Sequence, residues 1–472
     1  MTGVERMTVA DVGADVGADV DVAPVRRPER TSRRTTARAL FGFAALVLVT
    51  HLVVKWVMVD TGVHRHDAAP LHAMFDPELH RSLFWALLLG GCAIWCAERV
   101  SASLSWRRLL LASAASASAW AIALALVRGG HRITVVFTRP GEYPQVVDRI
   151  ESFNAFLSSF VDDIASFPIH VQSHPPGFPL LSWALQRIGL GGSFVLSMLC
   201  IVAGGVAVAA VLVVVRDVAG EVMARRAAPF VVFAPAAVSV ATSADAFFAG
   251  IGAVAAMLVV LATRRRDAAG DALALLGGVV FGVAVFFSYG LVLLATVPLA
   301  VARMRHRVRP IVLTTLGAAL VVEAIWQSGF FWFEGLLATR EQYFEGIGGS
   351  RPYPLYVFAN VAIFAIILGP ALAVALVRLR DKRLWVVVGG ALAAVALADL
   401  SGISKAEVER IWLPFTPFVL AAGAALSSSV IERGGGTVVR ARRLRHFTPV
   451  QGWIALQVGY TVLLEVVIRT GW

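Results

Sequence analysis

Residues 193–226 read SFVLSMLCIVAGGVAVAAVLVVVRDVAGEVMARR, and this stretch decides the class of fold. Residues 193–215 carry no charged side chain and are longer than the roughly 20 apolar residues that a membrane-crossing helix needs. Arg216, Arg225 and Arg226 follow at once, in the pattern of a short basic loop that stays on the cytoplasmic side. The small-residue runs AGGVAVAA (203–210) and GAVAA (252–256) are surfaces on which other helices can pack closely.

The same alternation runs through the whole chain. Of 472 residues, 58% are apolar and only 15% charged, with a mean hydropathy of +0.75, which is too little polar surface for a soluble globule. A net charge of +11 would suggest nucleic acid in a soluble protein. Here the basic residues sit in clusters between apolar runs, so membrane lipids are expected as partners and nucleic acid is not. Three cysteines cannot form a disulfide framework, and Cys92 and Cys96 read as packing residues of an apolar helix.

Apolar length predicts an all-α polytopic membrane protein of about 13 transmembrane helices. The spans fall near 40–59, 81–97, 108–127, 193–215, 227–242, 246–263, 272–287, 289–303, 311–331, 357–377, 384–400, 412–430 and 452–468. The run 176–190 is expected to lie at the surface without crossing. With the Arg-rich N-terminal tail inside, this choice puts the basic connections 98–108, 216–226, 264–266, 303–309, 378–383 and 432–446 all inside. The cell membrane is then the expected location, with the N-terminus cytoplasmic and the C-terminus outside. The chain divides into a disordered cytoplasmic tail (1–38), with an acidic repeat and a basic run, and an N-terminal hairpin (39–107). A core (108–430) follows, then a basic loop with the final helix (431–472).

This topology gathers the polar chemistry on the extracytoplasmic face. Residues 139–178, RPGEYPQVVDRIESFNAFLSSFVDDIASFPIHVQSHPPGF, hold Glu142, Tyr143, Asp148, Asp162, Asp163, His170 and His174. Phe153, Phe156, Leu157 and Phe160 give the loop one apolar helical face. Glu142 and Asp148, just before this face, are expected to be held at the bilayer surface, and His174 is fixed at a helix entrance by two prolines. Asp162 and Asp163 read first as solvated charges, although such a pair could bind a divalent cation. Arg340, Arg351 and Arg410 lie at the outer ends of spans, where a guanidinium can grip phosphate or reach lipid headgroups; Arg351 is followed by Tyr353 in SRPYPLY.

Other polar residues read more plainly. Lys405, Glu407 and Glu409 suit exposed helix pairs. Asp245 reads as a helix cap or a site carboxylate, and Glu323 with Gln327 as a hydrogen bond facing the bundle. His64, His66, His72 and His80, with Asp60, Asp67 and Asp76, match no closed zinc pattern and read as a polar loop.

EY at 142–143, HPPGFPLLSWALQRIGLGG at 174–192, RDVAGEVMARRAA at 216–228, FAPAAVSVATSADAF at 233–247 and ERIWLPFTPFVLAAGAAL at 409–426 occur in this order. Their order resembles the GT-C superfamily of polyprenyl-phosphate-sugar-dependent glycosyltransferases, and within it the protein O-mannosyltransferase and aminoarabinose transferase group. It also looks like actinobacterial membrane proteins with an acidic-Tyr to His-Pro-Pro-Gly loop. The resemblance implies a GT-C-like bundle, a polyprenyl-phosphate sugar donor and a cell-envelope glycan, lipid or protein acceptor. It implies a catalytic carboxylate at Glu142, with Asp148 second, and substrate contacts from Tyr143, His170, His174, Arg340, Arg351, Tyr353 and Arg410. That family more commonly has Asp where this chain has Glu142, so a catalytically inactive assembly partner is one alternative. A transporter or flippase of a lipid-linked or small polar solute is the other.

Overall fold

The computed structural model describes residues 33–59, 68–241, 243–427 and 447–470. The acidic repeat and most of the basic run of the tail, Asp60, His64, His66 and Asp67, and the whole 432–446 connection lie outside the described residues. The first helix already begins at Arg33, so residues 33–38, assigned to the tail by composition, belong to it.

Among the described residues nine helices are long and apolar enough to cross a membrane. They are α1 (Arg33–Val59), α2 (Leu83–Ser103), α3 (Trp106–Ala125), α4 (Ser193–Ala219), α5 (Asp245–Arg264), α6 (Ala268–Val285), α7 (Arg309–Gln327), α8 (Lys382–Leu400) and α9 (Pro449–Val467). The other four expected spans are helical but broken. Residues 227–242 divide into the helix Glu221–Val232 and the 3-10 turn Pro235–Ser239, and 289–303 into a 3-10 stretch and the helix Thr296–Met304. Residues 357–377 bend by 95° between Tyr353–Leu368 and Pro370–Arg378, at Gly369 with φ +82°. Residues 412–430 hold the short pieces Thr416–Leu420 and Ala421–Leu426. Proline removes a backbone donor and interrupts the helical ladder, a break that apolar length alone does not register.

Close packing follows from the small residues. A Cβ on Gly205 would lie 2.6 Å from the Ala114 carbonyl of α3, and one on Gly278 would lie 2.1 Å from the Thr314 carbonyl of α7, so backbones meet at these crossings. α1 packs on the bent pair 353–378, and α2 packs on α3 and α9.

α5 runs about 30 Å from Asp245 to Arg264 and marks two ends of the molecule. At the Arg264 end the basic connections are tied together: Arg264 and Arg305 both pair with Asp217, at 3.3 and 2.7 Å, and Arg216 and Arg225 with Glu221, at 2.9 and 2.7 Å. At the Asp245 end lie the 126–192 segment and a two-stranded antiparallel ladder, β1 (Ala73–Phe75) with β2 (Ile468–Thr470). The helix Gly177–Arg187 has 11 residues, about 16 Å against a hydrocarbon core of about 30 Å.

Candidate functional site

The turn after Arg139-Pro140-Gly141 leads into the 3-10 stretch Tyr143–Arg149, whose first residues face inward. The His170 amide donates to the Gly141 carbonyl (3.2 Å), which ties the two halves of the loop. His-Pro-Pro-Gly then enters the helix Gly177–Arg187. The Gly177 amide donates to the Phe286 carbonyl at 3.1 Å, and a Cβ there would stand 2.4 Å from that oxygen. Glycine is required by this close approach. Phe178, fully buried, packs its ring 4.8 Å from that of Tyr143 and 5.9 Å from Phe137 and Phe248, giving the site an aromatic floor.

On that floor a buried ionic chain assembles. Glu142, 2% exposed, has its Oε1 2.9 Å from His170 Nδ1. His170 Nε2 lies 3.3 Å from Arg410 Nη2. Guanidinium only donates, so Nε2 accepts, and the network assigns the ring proton to Nδ1, where it donates to Glu142. Glu142 Oε2 is buried with no hydrogen-bond partner among the described residues. Arg410 also donates to Asp245 Oδ2 (3.1 Å) and Glu407 Oε2 (2.8 Å), and Glu407 Oε1 accepts from Arg351 Nη2 (3.1 Å). His174 Nδ1 lies 3.0 Å from both the His170 carbonyl and the Tyr143 hydroxyl. A carbonyl only accepts, so Nδ1 carries the proton.

Burial and charge set the ionisation of these groups. Burial pushes His174 down to about 4, so the ring is neutral, and it raises the Tyr143 phenol well above its ordinary range. Burial alone would raise Glu407, but Arg410 and Arg351 outweigh it and hold that carboxyl at about 2. His72 of the first loop adds to this effect. At Glu409 burial wins: both side-chain oxygens are buried with no hydrogen-bond partner among the described residues, and the carboxyl rises to about 7, chiefly through burial, with Arg410 and Arg351 acting against it too weakly to prevent the rise.

The chain reaches this arrangement through an uncommon backbone. Ala406 and Glu407 both have positive φ, 63° and 59°, a region non-glycine residues rarely occupy. The conformation is over-determined: the Ala406 amide donates to Asn360 Oδ1 (3.0 Å), the Lys405 amide to Tyr343 Oη (3.0 Å), and Arg351 Nη1 to the Lys405 carbonyl. Lys405 Nζ donates to the carbonyls of Gly348 (2.7 Å) and Arg351 (2.9 Å).

Of the residues singled out in the sequence, Glu142, Tyr143, His170, His174, Arg351 and Arg410 come together. Three do not. Asp148 is exposed and accepts from Gln186 (3.1 Å). Arg340 is exposed over the Phe344 ring. Tyr353 is 40% exposed and donates to the Leu400 carbonyl.

Several other readings change. Lys405, Glu407 and Glu409, expected as exposed helix pairs, point into the protein, because the backbone turn at 406–407 carries them inward. Asp245 is not a cap: Ala244 holds the cap position, and the Asp245 carboxylate pairs with Arg410. Glu323 and Gln327 do bond to each other (2.6 Å), but on an exposed face of α7. Asp162 and Asp163 are exposed, and among the described residues no group of three or more His, Cys, Asp or Glu is placed to hold a metal ion. The one sequence signal for the missed members was the density of charge in SKAEVER beside an apolar run. Compared with protein-family models and with curated proteins, the chain matches none.

Proposed function

We propose that the protein transfers a sugar from a polyprenyl-phosphate donor to a cell-envelope acceptor, with Glu142 as the general base. The observation that carries this reading is the Glu142 carboxylate, oriented through Oε1 by His170 while Oε2 is buried with no hydrogen-bond partner among the described residues. In the proposed step Oε2 takes the proton of the acceptor hydroxyl, and that oxygen bonds to the anomeric carbon. The bond from this carbon to the phosphate oxygen breaks, and the lipid phosphate leaves with the electron pair. His170 holds the base, and Arg410 holds His170. Glu407 and Asp245 balance the charge of Arg410, so its role here is to position rather than to neutralise phosphate.

The four broken stretches, in this reading, also cross the membrane and complete a GT-C-like bundle of about 13 spans. The ionic chain faces the outside of a plasma membrane, because the tied basic connections at the opposite end favour the cytoplasm.

The test is sugar transfer by the purified chain in nanodiscs, with candidate polyprenyl-phosphate sugars and mass spectrometry of the products. Glu142→Gln is expected to lower the rate by about 100-fold or more, and Asp148→Asn to leave it unchanged. Wild-type transfer by Glu142→Gln would overturn the assignment. One observation favours transport instead: the 95° break between Tyr353–Leu368 and Pro370–Arg378 is of the kind found in transporters. Solute movement across vesicles with no glycosidic product would decide for that reading.

A further inference from the structure

α7 is among the spans that bury least of their surface, and one stripe of it faces away from the rest of the protein. Val312, Leu316, Ala319, Glu323 and Trp326 are all exposed and follow one another at intervals of four, three, four and three residues. That is the spacing of a seam on which a second helix packs. The other side of α7 is already occupied: Gly317 lies so close to α6 that a Cβ there would meet the Leu275 carbonyl.

The exposed stripe is not uniformly apolar. Glu323 and Gln327 share it, and Gln327 Nε2 donates to Glu323 Oε1 at 2.6 Å. α7 begins at Arg309, whose guanidinium forms a bidentate pair with Asp271 of α6 (2.9 and 2.6 Å) and suits the headgroup level. Glu323 is 14 residues further on, about 21 Å along the axis, and so lies within a hydrocarbon core of about 30 Å. A carboxyl facing lipid at that depth is costly, and ionisable residues in spans turn toward protein. The internal hydrogen bond uses one oxygen of Glu323 and one N–H of Gln327, whereas the carboxyl has a second oxygen, and the amide a second N–H and a carbonyl. α1 is as little buried as α7 but contains no Asp, Glu, Asn or Gln.

We propose that this stripe of α7 is the contact on which two copies of the chain associate, side by side in the membrane about a two-fold axis along its normal. A second copy fits because the stripe is self-complementary. In a two-fold contact the same patch faces itself, so Gln327 and Glu323 supply donors and acceptors in both directions. The Arg309–Asp271 pair likewise presents both signs of charge to its own image. Ala319, in the middle, lets the two backbones approach, and a polar position in an otherwise apolar seam fixes its register. The inference rests on the exposed face of α7 and does not depend on sugar transfer.

The test uses the full chain labelled in two colours and reconstituted in phosphatidylcholine vesicles, with energy transfer followed as the protein is diluted into lipid. The wild-type chain is expected to dissociate as a dimer does, and Glu323→Leu/Gln327→Leu to dissociate at about tenfold higher protein density. In a chain freed of its native cysteines, Ala319→Cys is expected to form a covalent dimer on mild oxidation. Leu48→Cys, on the exposed face of α1, is expected to form none. Monomers at every density overturn the proposal, even where another membrane protein binds the stripe. Equal cross-linking through Leu48→Cys, or dimers undisturbed by the double leucine variant, places the contact elsewhere and overturns it too. The cysteine variants keep Glu323 and Gln327, so a double variant that fails to fold does not spare the proposal.

Discussion

Glu409 is a carboxyl whose surroundings favour its neutral form. Its carboxyl rises from an ordinary 4.5 to about 7, so the folded chain holds this proton more tightly than the unfolded chain does. Between those values the folded state binds more protons, and stability falls as pH rises. The opposite holds for Glu407: held at about 2, it contributes stability above 4.5 that is lost as pH falls toward 2. Thermal unfolding in detergent is therefore expected to show a midpoint that declines from about pH 4.5 to about pH 7. Glu409→Gln should make that decline shallower, and an equally steep decline in the variant would show that Glu409 contributes nothing to it. These two residues also mark how far the sequence could be read. SKAEVER spaces its charges as an exposed helix would, and nothing local distinguishes a solvated Glu407 from one turned inward by a pair of positive-φ residues. Glu142, His170 and Arg410 were legible because a loop between apolar blocks has few other uses for them.

At the scale of elements, the His-Pro-Pro-Gly entrance shows why a short motif can be rigid. Two prolines restrict the approach, and Gly177 places its backbone against the Phe286 carbonyl, so the helix Gly177–Arg187 cannot shift without moving Phe178 and, with it, Tyr143. Gly177→Ala puts a methyl group 2.4 Å from backbone. It is expected to destabilise the protein by about 1–3 kcal/mol and to lower activity through displacement of the aromatic floor, as measured by thermal unfolding and product formation. Wild-type stability would mean that the 282–287 segment yields at little cost. The motif was visible in the sequence, whereas its partner at Phe286, a long way along the chain, was not. The broken spans were hidden for a related reason: hydropathy records how apolar a stretch is, and a proline or a positive-φ glycine changes direction without changing that sum.

The whole molecule has a polar chain at one end and tied basic connections at the other, separated by the length of α5. Single cysteines in place of Asp162 and Arg266, in a chain freed of its native cysteines, are expected to react with an impermeant thiol reagent from opposite faces of the membrane, Asp162→Cys from outside intact cells and Arg266→Cys only after lysis. Labelling of both from one side would overturn the two-ended arrangement, and labelling in the reverse sense would invert its orientation. Hydropathy and charge balance made this architecture legible as a class, because length and charge are sums over many residues.

The ladder between β1 and β2 joins residues far apart along the chain, so β1 is made long before β2. Until α9 is inserted, the edge of β1 has no β2 to pair with, and Arg128 lacks the Glu465 and Val466 carbonyls that receive its guanidinium. A chain halted before α9 therefore displays an open strand edge and an incompletely satisfied cation together. In this protein one long-range pairing event removes both.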